Sequence, residues 1–158
     1  MRKIIVLLVF SVFVFGCKST SSPVTTKLDN KTEVALKGNW NVTGVTYPGS
    51  EYIKVTSFDL VDSKCFVGSS WKFVSNNNKG HFDLTGSGCT DYSSDITWYV
   101  NKDGQFVMKI LNAAKAKNVN QGYVLKVANI SESSFQLIDH INVGGKPTDV
   151  VYQFQRIN

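Results

Sequence analysis

The chain has 158 residues, with 17 Lys and Arg against 12 Asp and Glu and a formal net charge of +5. That mild basic balance is not gathered into a cluster interleaved with aromatics, so the sequence offers no nucleic-acid surface. It has two histidines, His81 and His140, no metal-spaced cluster of ligands, no Gly-x-Ser-x-Gly elbow and no phosphate loop.

The N-terminus reads as a targeting device. Arg2 and Lys3 form a short cationic start, and Ile4 to Phe15 is an apolar run of 12 residues broken by one serine. A bilayer-spanning helix needs roughly 20 apolar residues, so the run is too short to span and fits the central region of a signal peptide. The other reading is an uncleaved anchor helix followed by an incidental cysteine. The run ends in Val14-Phe15-Gly16-Cys17. This resembles the lipobox of bacterial lipoproteins, where a small residue precedes the modified cysteine. The resemblance implies cleavage after Gly16 and a multiply acylated Cys17, held stably in a lipid bilayer because more than one chain is buried. Loss of residues 1–16 takes Arg2 and Lys3 away and leaves 15 basic against 12 acidic residues, a charge of +3.

Residues 17–31 carry the lipid and a tether rich in Ser, Thr and Lys, without apolar periodicity. Lys18, Ser19, Thr20 and Ser21 lack the acids that act as a surface-export signal in some Gram-negative lipoproteins. The expected location is therefore the cell envelope, at the outer membrane and facing the periplasm. Outside the cytoplasm disulfides persist, and with Cys17 taken by lipid, Cys65 and Cys89 are left as an even pair. They are expected to bond, closing a loop of about 25 residues worth roughly 3 kcal/mol in the chain-entropy model. Two buried free thiols are the alternative.

Residues 32–158 read as one domain, long enough for a single sizeable core. Alternation with period two predicts strands at Trp40 to Thr46, Ser70 to Val74, Gly80 to Thr85, Ile96 to Asn101, Phe106 to Ile110, Tyr123 to Ala128, Phe135 to Ile141 and Val150 to Arg156. Asp103-Gly104 is a strong hairpin cue, and Asn76-Asn77-Asn78-Lys79-Gly80 is a turn. Eight strands, the last six at short spacing, predict an all-β, antiparallel up-and-down barrel, which removes exposed edges by closure. Pro48 to Ser63 is too long for a hairpin loop and carries its own apolar residues. It is read as a short helix or long loop after the first strand, either a lid over a binding opening or a cap on one end of the barrel.

Gly38-Asn39-Trp40, after the short segment Thr32 to Lys37, resembles the Gly-x-Trp motif that opens the lipocalin barrel. In that family a turn of helix precedes the motif, the Trp closes the narrow end, and a late basic residue packs on it. Arg156 stands at the comparable place, on the face of Val150, Tyr152 and Phe154. An inward Arg must be paired or stacked, and a cation–π contact with Trp40 satisfies that need. With the leader, these residues make the chain similar to the lipocalin-like lipoproteins of the Bacteroidetes type. The paired cysteines after the first strand suit that group.

Trp71, Phe73, Trp98, Phe106, Met108, Tyr123, Leu125, Phe135, Leu137, Tyr152 and Phe154 fall on the inward face and are the candidate cavity residues, with Tyr123, Tyr152 and Asp139 as polar groups to orient a ligand. Eight strands enclose either a filled core or room for one small ligand. His81 and His140 read as outward polar residues, and Asp59 and Asp62 as solvated loop acids. No catalytic group, metal or cofactor is expected. Two functions remain open. One is a non-enzymatic lipoprotein that binds a small apolar molecule, such as a lipid or fatty acid. The other is a solid barrel that docks on or inhibits an envelope protein, with Tyr47, Tyr92 and Tyr99 as exposed anchors.

Overall fold

A computed structural model describes residues 30–50 and 53–157. The signal peptide, Cys17 and most of the tether lie outside the described residues. Helix α1 (Asn30–Leu36) leads into β1 (Gly38–Thr46). A small hairpin follows, β2 (Thr56–Ser57) and β3 (Val61–Asp62), and then a 3-10 turn, Ser63–Phe66. The chain continues through β4 (Ser70–Val74), β5 (Lys79–Leu84), β6 (Tyr92–Val100), β7 (Gln105–Ile110), β8 (Tyr123–Ala128), β9 (Ser134–Val143) and β10 (Lys146–Arg156). Eight strands close in the order β1-β10-β9-β8-β7-β6-β5-β4, all neighbours antiparallel. This is the expected up-and-down barrel. The helix starts two residues earlier than the domain boundary read from the sequence, and β6 starts four residues before the alternating run at Ile96.

The strands form because their inward positions are large and apolar. On β6, Ser94, Ile96, Trp98 and Val100 are buried while Ser93, Asp95, Thr97 and Tyr99 are exposed or half-buried. β1 breaks its own alternation. Trp40 and Val42 point inward, but the register shifts between Val42 and Gly44, and from there Val45 and Tyr47 are the buried residues. One extra residue in a strand reverses every side chain after it. Tyr47, expected as an exposed anchor, is therefore buried, with its hydroxyl bonded to Ser63.

Aromatic rings fill the barrel. Phe73 touches Trp71, Trp98, Phe106, Phe135 and Phe154 at centroid distances of 5.2–6.4 Å. Trp71 stacks on Phe82 at 4.4 Å, and Phe135 on Phe154 at 4.5 Å. Each indole N–H has an acceptor: Trp40 donates to Leu36 O, Trp71 to Ser69 Oγ and Trp98 to Lys79 O, at 2.8–2.9 Å. This lets three tryptophans be buried without stranding a donor.

The ends of the barrel differ. At one, α1 lies across the bottom and Arg156 lies over the Trp40 ring, 4.1 Å from its centroid. The guanidinium also donates to Glu132 O (2.6 Å), Lys37 O (3.0 Å) and Ala35 O (3.1 Å), tying helix, β1 and the β8–β9 turn together. Gly38 has φ +130°, and a Cβ there would stand 2.4 Å from Arg156 Nη1, so only glycine admits the arginine. At the other end, the β2–β3 hairpin folds over the mouth.

Candidate functional site

The mouth is roofed by residues Val55–Ser63. The turn Ser57–Leu60 is closed by Leu60 N–H donating to Ser57 O (3.0 Å), and both central residues, Phe58 and Asp59, have positive φ, 53° and 51°. Asp59 tolerates a left-handed backbone, but Phe58 does not, and the conformation costs it about 1–2 kcal/mol, so the turn is strained at Phe58. What holds it is the Phe58 side chain. It is 6% exposed and enters the mouth against Phe66, Tyr123 and Tyr152, with centroid distances of 5.1–5.5 Å.

Three tyrosines latch the roof. Tyr152 donates to Ser57 Oγ (2.5 Å), Tyr123 donates to Phe58 O (2.7 Å), and Tyr47 shares a hydrogen bond with Ser63. Burial pushes the Tyr152 hydroxyl well above its ordinary value, and burial with the nearby Asp59 raises Tyr123. Both thus stay neutral donors at physiological pH. Gln121 bonds Asp59 from the β7–β8 loop. The disulfide Cys65–Cys89 joins the 3-10 turn that follows the hairpin to the β5–β6 loop, so the trailing root of the roof is pinned to the barrel wall. Beside the plug, Phe58, Asp59 and Leu60 face Ile110, Val119 and Tyr123 across a cleft of about 380 Å³.

The expected cavity residues all point inward, but they fill the barrel. Trp71, Phe73, Trp98, Phe106, Met108, Leu125, Phe135, Leu137, Tyr152 and Phe154 are each 3% exposed or less and pack in the core. Tyr123 is half-buried at the mouth. The cleft beside Phe58 thus lies at the lid and not down the barrel axis. Of the residues that build the mouth, Ser57, Phe58 and Ser63 fall in the loop expected to be a lid or a cap from its length and its own apolar residues, whereas Tyr47 was expected as an exposed anchor.

His81 and His140 lie on the outer face, as their strand parity indicates. His140 Nδ1 meets Asp149 at 2.5 Å. His81 bridges Asp95 (Nδ1, 2.8 Å) and Asp83 (Nε2, 3.2 Å), with Ser93 Oγ 3.0 Å from Nε2. The hydrogen bond to Asp95, then the second carboxylate, raise the imidazole above its usual pKa against the cost of partial burial. The Ser93-His81-Asp95 sequence of contacts has the connectivity of a hydrolytic triad. Its chemistry differs: Ser93 donates to Asp83 at 2.7 Å, and an imidazole held between two carboxylates favours the protonated form, which is no base. Asp62 caps the 3-10 turn by accepting from Lys64 N at 2.9 Å. No group of three potential metal ligands gathers among the described residues.

Among solved structures, the chain is similar to a lipocalin-like protein from Bacteroides uniformis ATCC 8492, with 14% identity over 78% of this chain and 99% of that one and a TM-score of 0.48. It is also similar to bovine odorant binding protein, in its complex with a selenium-containing odorant, with 14% identity over 80% of this chain and 73% of that one and a TM-score of 0.46. No curated protein matches the chain. The family model of the lipocalin-like domain matches residues 36–137, well over half of the chain and the stretch from the end of α1 through β9's inward Leu137. With the closed eight-strand barrel, the chain belongs to the family of lipocalin-like domains.

Proposed function

We propose that this protein is a lipoprotein of the bacterial envelope, anchored in the outer membrane through acylated Cys17 and facing the periplasm, and that its barrel takes a small apolar molecule at the lidded mouth. The observation that carries the binding reading is Phe58. An aromatic side chain on a strained left-handed turn fills the space among Phe66, Tyr123 and Tyr152. It occupies the place an apolar ligand would take once the roof lifts, and release of the turn strain favours that opening. The adjoining cleft of about 380 Å³ falls in the size range of small-molecule pockets. The protein acts by binding and not by bond-making: the mouth presents tyrosine hydroxyls, aromatic rings and carboxylates, with no nucleophile paired to a base.

The filled interior supports a second reading, in which the barrel is a rigid scaffold whose loops dock on another envelope protein. Native mass spectrometry with lipid extraction, on protein purified from its own host's envelope, separates the two. A stoichiometric small molecule that is lost when Phe58 and Tyr123 are substituted supports the carrier. A clean mass, together with a co-purifying protein partner, replaces it by the docking module.

A further inference from the structure

Asp139 is the one carboxylate among the candidate cavity groups, and its position is anomalous. It lies on β9 opposite Val150 of β10, and Val150 is fully buried in the core. Cross-strand partners in an antiparallel ladder share a face, so Asp139 points into the barrel with Phe135 and Leu137 below it. β8 and β9 pair through Lys126–Ala128 and Gln136–Ile138, and the pairs stop there, one residue short of Asp139. The acid therefore stands where the wall parts toward the mouth. It is half-buried, and no hydrogen bond or ion pair reaches its carboxylate among the described residues. Its charge bears on the hydroxyls of both Tyr123 and Tyr152, the two rings that hold Phe58. Burial raises its own pKa.

Neither carboxylate oxygen is sealed from solvent, so water satisfies the charge in the closed protein, but no protein group does, and a ligand that displaces this water must supply a partner. Neighbouring polar groups do not compensate: Tyr152 donates to Ser57 and Tyr123 to Phe58 O, both away from the acid. The missing partner is a donor, and a cationic one satisfies the charge best. An anionic head, such as that of a fatty acid, meets repulsion there.

We infer that the ligand of the mouth is an amine: an apolar body of about the size of the Phe58 ring, which it replaces, carrying an ammonium group that pairs with Asp139. This rests on the lidded-mouth reading and narrows it to a chemical class.

The test uses three water-soluble probes of one shape, 2-phenylethylamine, 2-phenylethanol and 3-phenylpropionate. They are titrated calorimetrically into the full chain in nanodiscs, with empty nanodiscs as blank. The unsubstituted protein, Phe58→Gly and Asp139→Asn are compared. The expected result is an amine bound about tenfold or more tightly than the alcohol, as a charge-assisted hydrogen bond provides, and no binding of the carboxylate. Asp139→Asn removes the amine preference and keeps the alcohol affinity. Equal affinities for all three, or an amine preference that survives Asp139→Asn, overturn the inference. Alcohol binding without amine preference overturns it while leaving the mouth reading in place. Binding of none of them, even to Phe58→Gly, overturns both. If Asp139→Asn fails to fold, Asp139→Ser takes its place, because Asp59 also lines the cleft and only a variant at position 139 separates the two acids.

Discussion

Replacing Phe58 separates the two opposing terms at the mouth. Phe58→Ala removes a side chain that is 6% exposed and in contact with three rings. A Phe→Ala change inside a closed core costs about 3–5 kcal/mol. At the mouth, water can fill the vacated space, so about 2–3 kcal/mol is expected. Alanine keeps the left-handed strain of φ 53°. Glycine does not, and at such a position it is favoured by about 1 kcal/mol. Phe58→Gly should therefore be more stable than Phe58→Ala, reversing the usual order for a structured residue. Urea unfolding followed by tryptophan fluorescence reads both differences. The neutral dye N-phenyl-1-naphthylamine should bind several-fold better to both variants than to the parent. A loss below about 1 kcal/mol for Phe58→Ala, or glycine less stable than alanine, would show that the ring neither plugs the barrel nor holds a strained turn.

At the closed end, Trp40→Ala and Arg156→Ala should each destabilise, and the double mutant should cost less than their sum by about 1 kcal/mol, the worth of a partly buried cation–π contact. Strictly additive losses in urea melts would remove that coupling. Replacing Cys65 and Cys89 together by serine should cost about 3 kcal/mol, and thiol reductant should lower the parent's melting point to that of the variant. His81 should titrate above the ordinary imidazole range in an NMR pH series. Asp95→Asn should lower it more than Asp83→Asn, because the Asp95 hydrogen bond is the larger cause. Since the folded pKa is raised, the stability from this cluster is full below the ordinary pKa of about 6.5 and fades as pH rises through the folded value. Asp139→Asn should raise the melting temperature of the unliganded protein at neutral pH. The folded pKa of this acid is also raised by burial, so its penalty is absent in acid and grows as pH climbs through the folded value; the variant's gain should vanish at low pH.

The barrel was legible in the sequence because burial on one face writes a period of two into each strand, and two turns, Asn76 to Gly80 and Asp103-Gly104, carry their own signals. Closure was legible too: Gly38, Trp40 and Arg156 are three residues of special chemistry at matching ends of the first and last strands, and they meet in space. Two things were not legible. The bulge after Val42 is marked only by Gly44, a glycine inside a strand, and without that cue Tyr47 reads as an exposed anchor rather than the buried residue it is. The loop from Pro48 to Ser63 reads as a lid or a cap, but its hairpin does not show in the sequence, because Phe58 adopts a left-handed turn that its own preference opposes. Local sequence predicts what local energy favours, and this turn is held by tertiary contact against local energy. Whether inward residues enclose a void was also beyond pattern, since pattern fixes direction and not volume.

The filled interior and the strained roof bear on each other. A barrel packed by rings from Trp40 to Tyr152 has no space that a ligand can enter without displacing protein, so any binding capacity resides in the part that can move. The part with the least to lose is the hairpin. Its strands are two residues each, its turn is strained at Phe58, and beyond the disulfide at its trailing root it is held by three tyrosine hydroxyls, the Gln121–Asp59 hydrogen bond and the Phe58 ring. The affinity seen for a ligand is reduced by the fraction of time the competent, open state is populated. Strain in the closed turn raises that fraction, because it lowers the cost of opening without weakening the open state. A relaxed Asn-Gly turn at positions 58 and 59 would give a more stable lid with no plug. A relaxed turn that kept the plug would hold the mouth shut more firmly and bind more weakly. On the proposed carrier reading, Phe58 in a left-handed turn meets both demands: it fills the mouth when no ligand is bound and yields when a ring of similar size arrives.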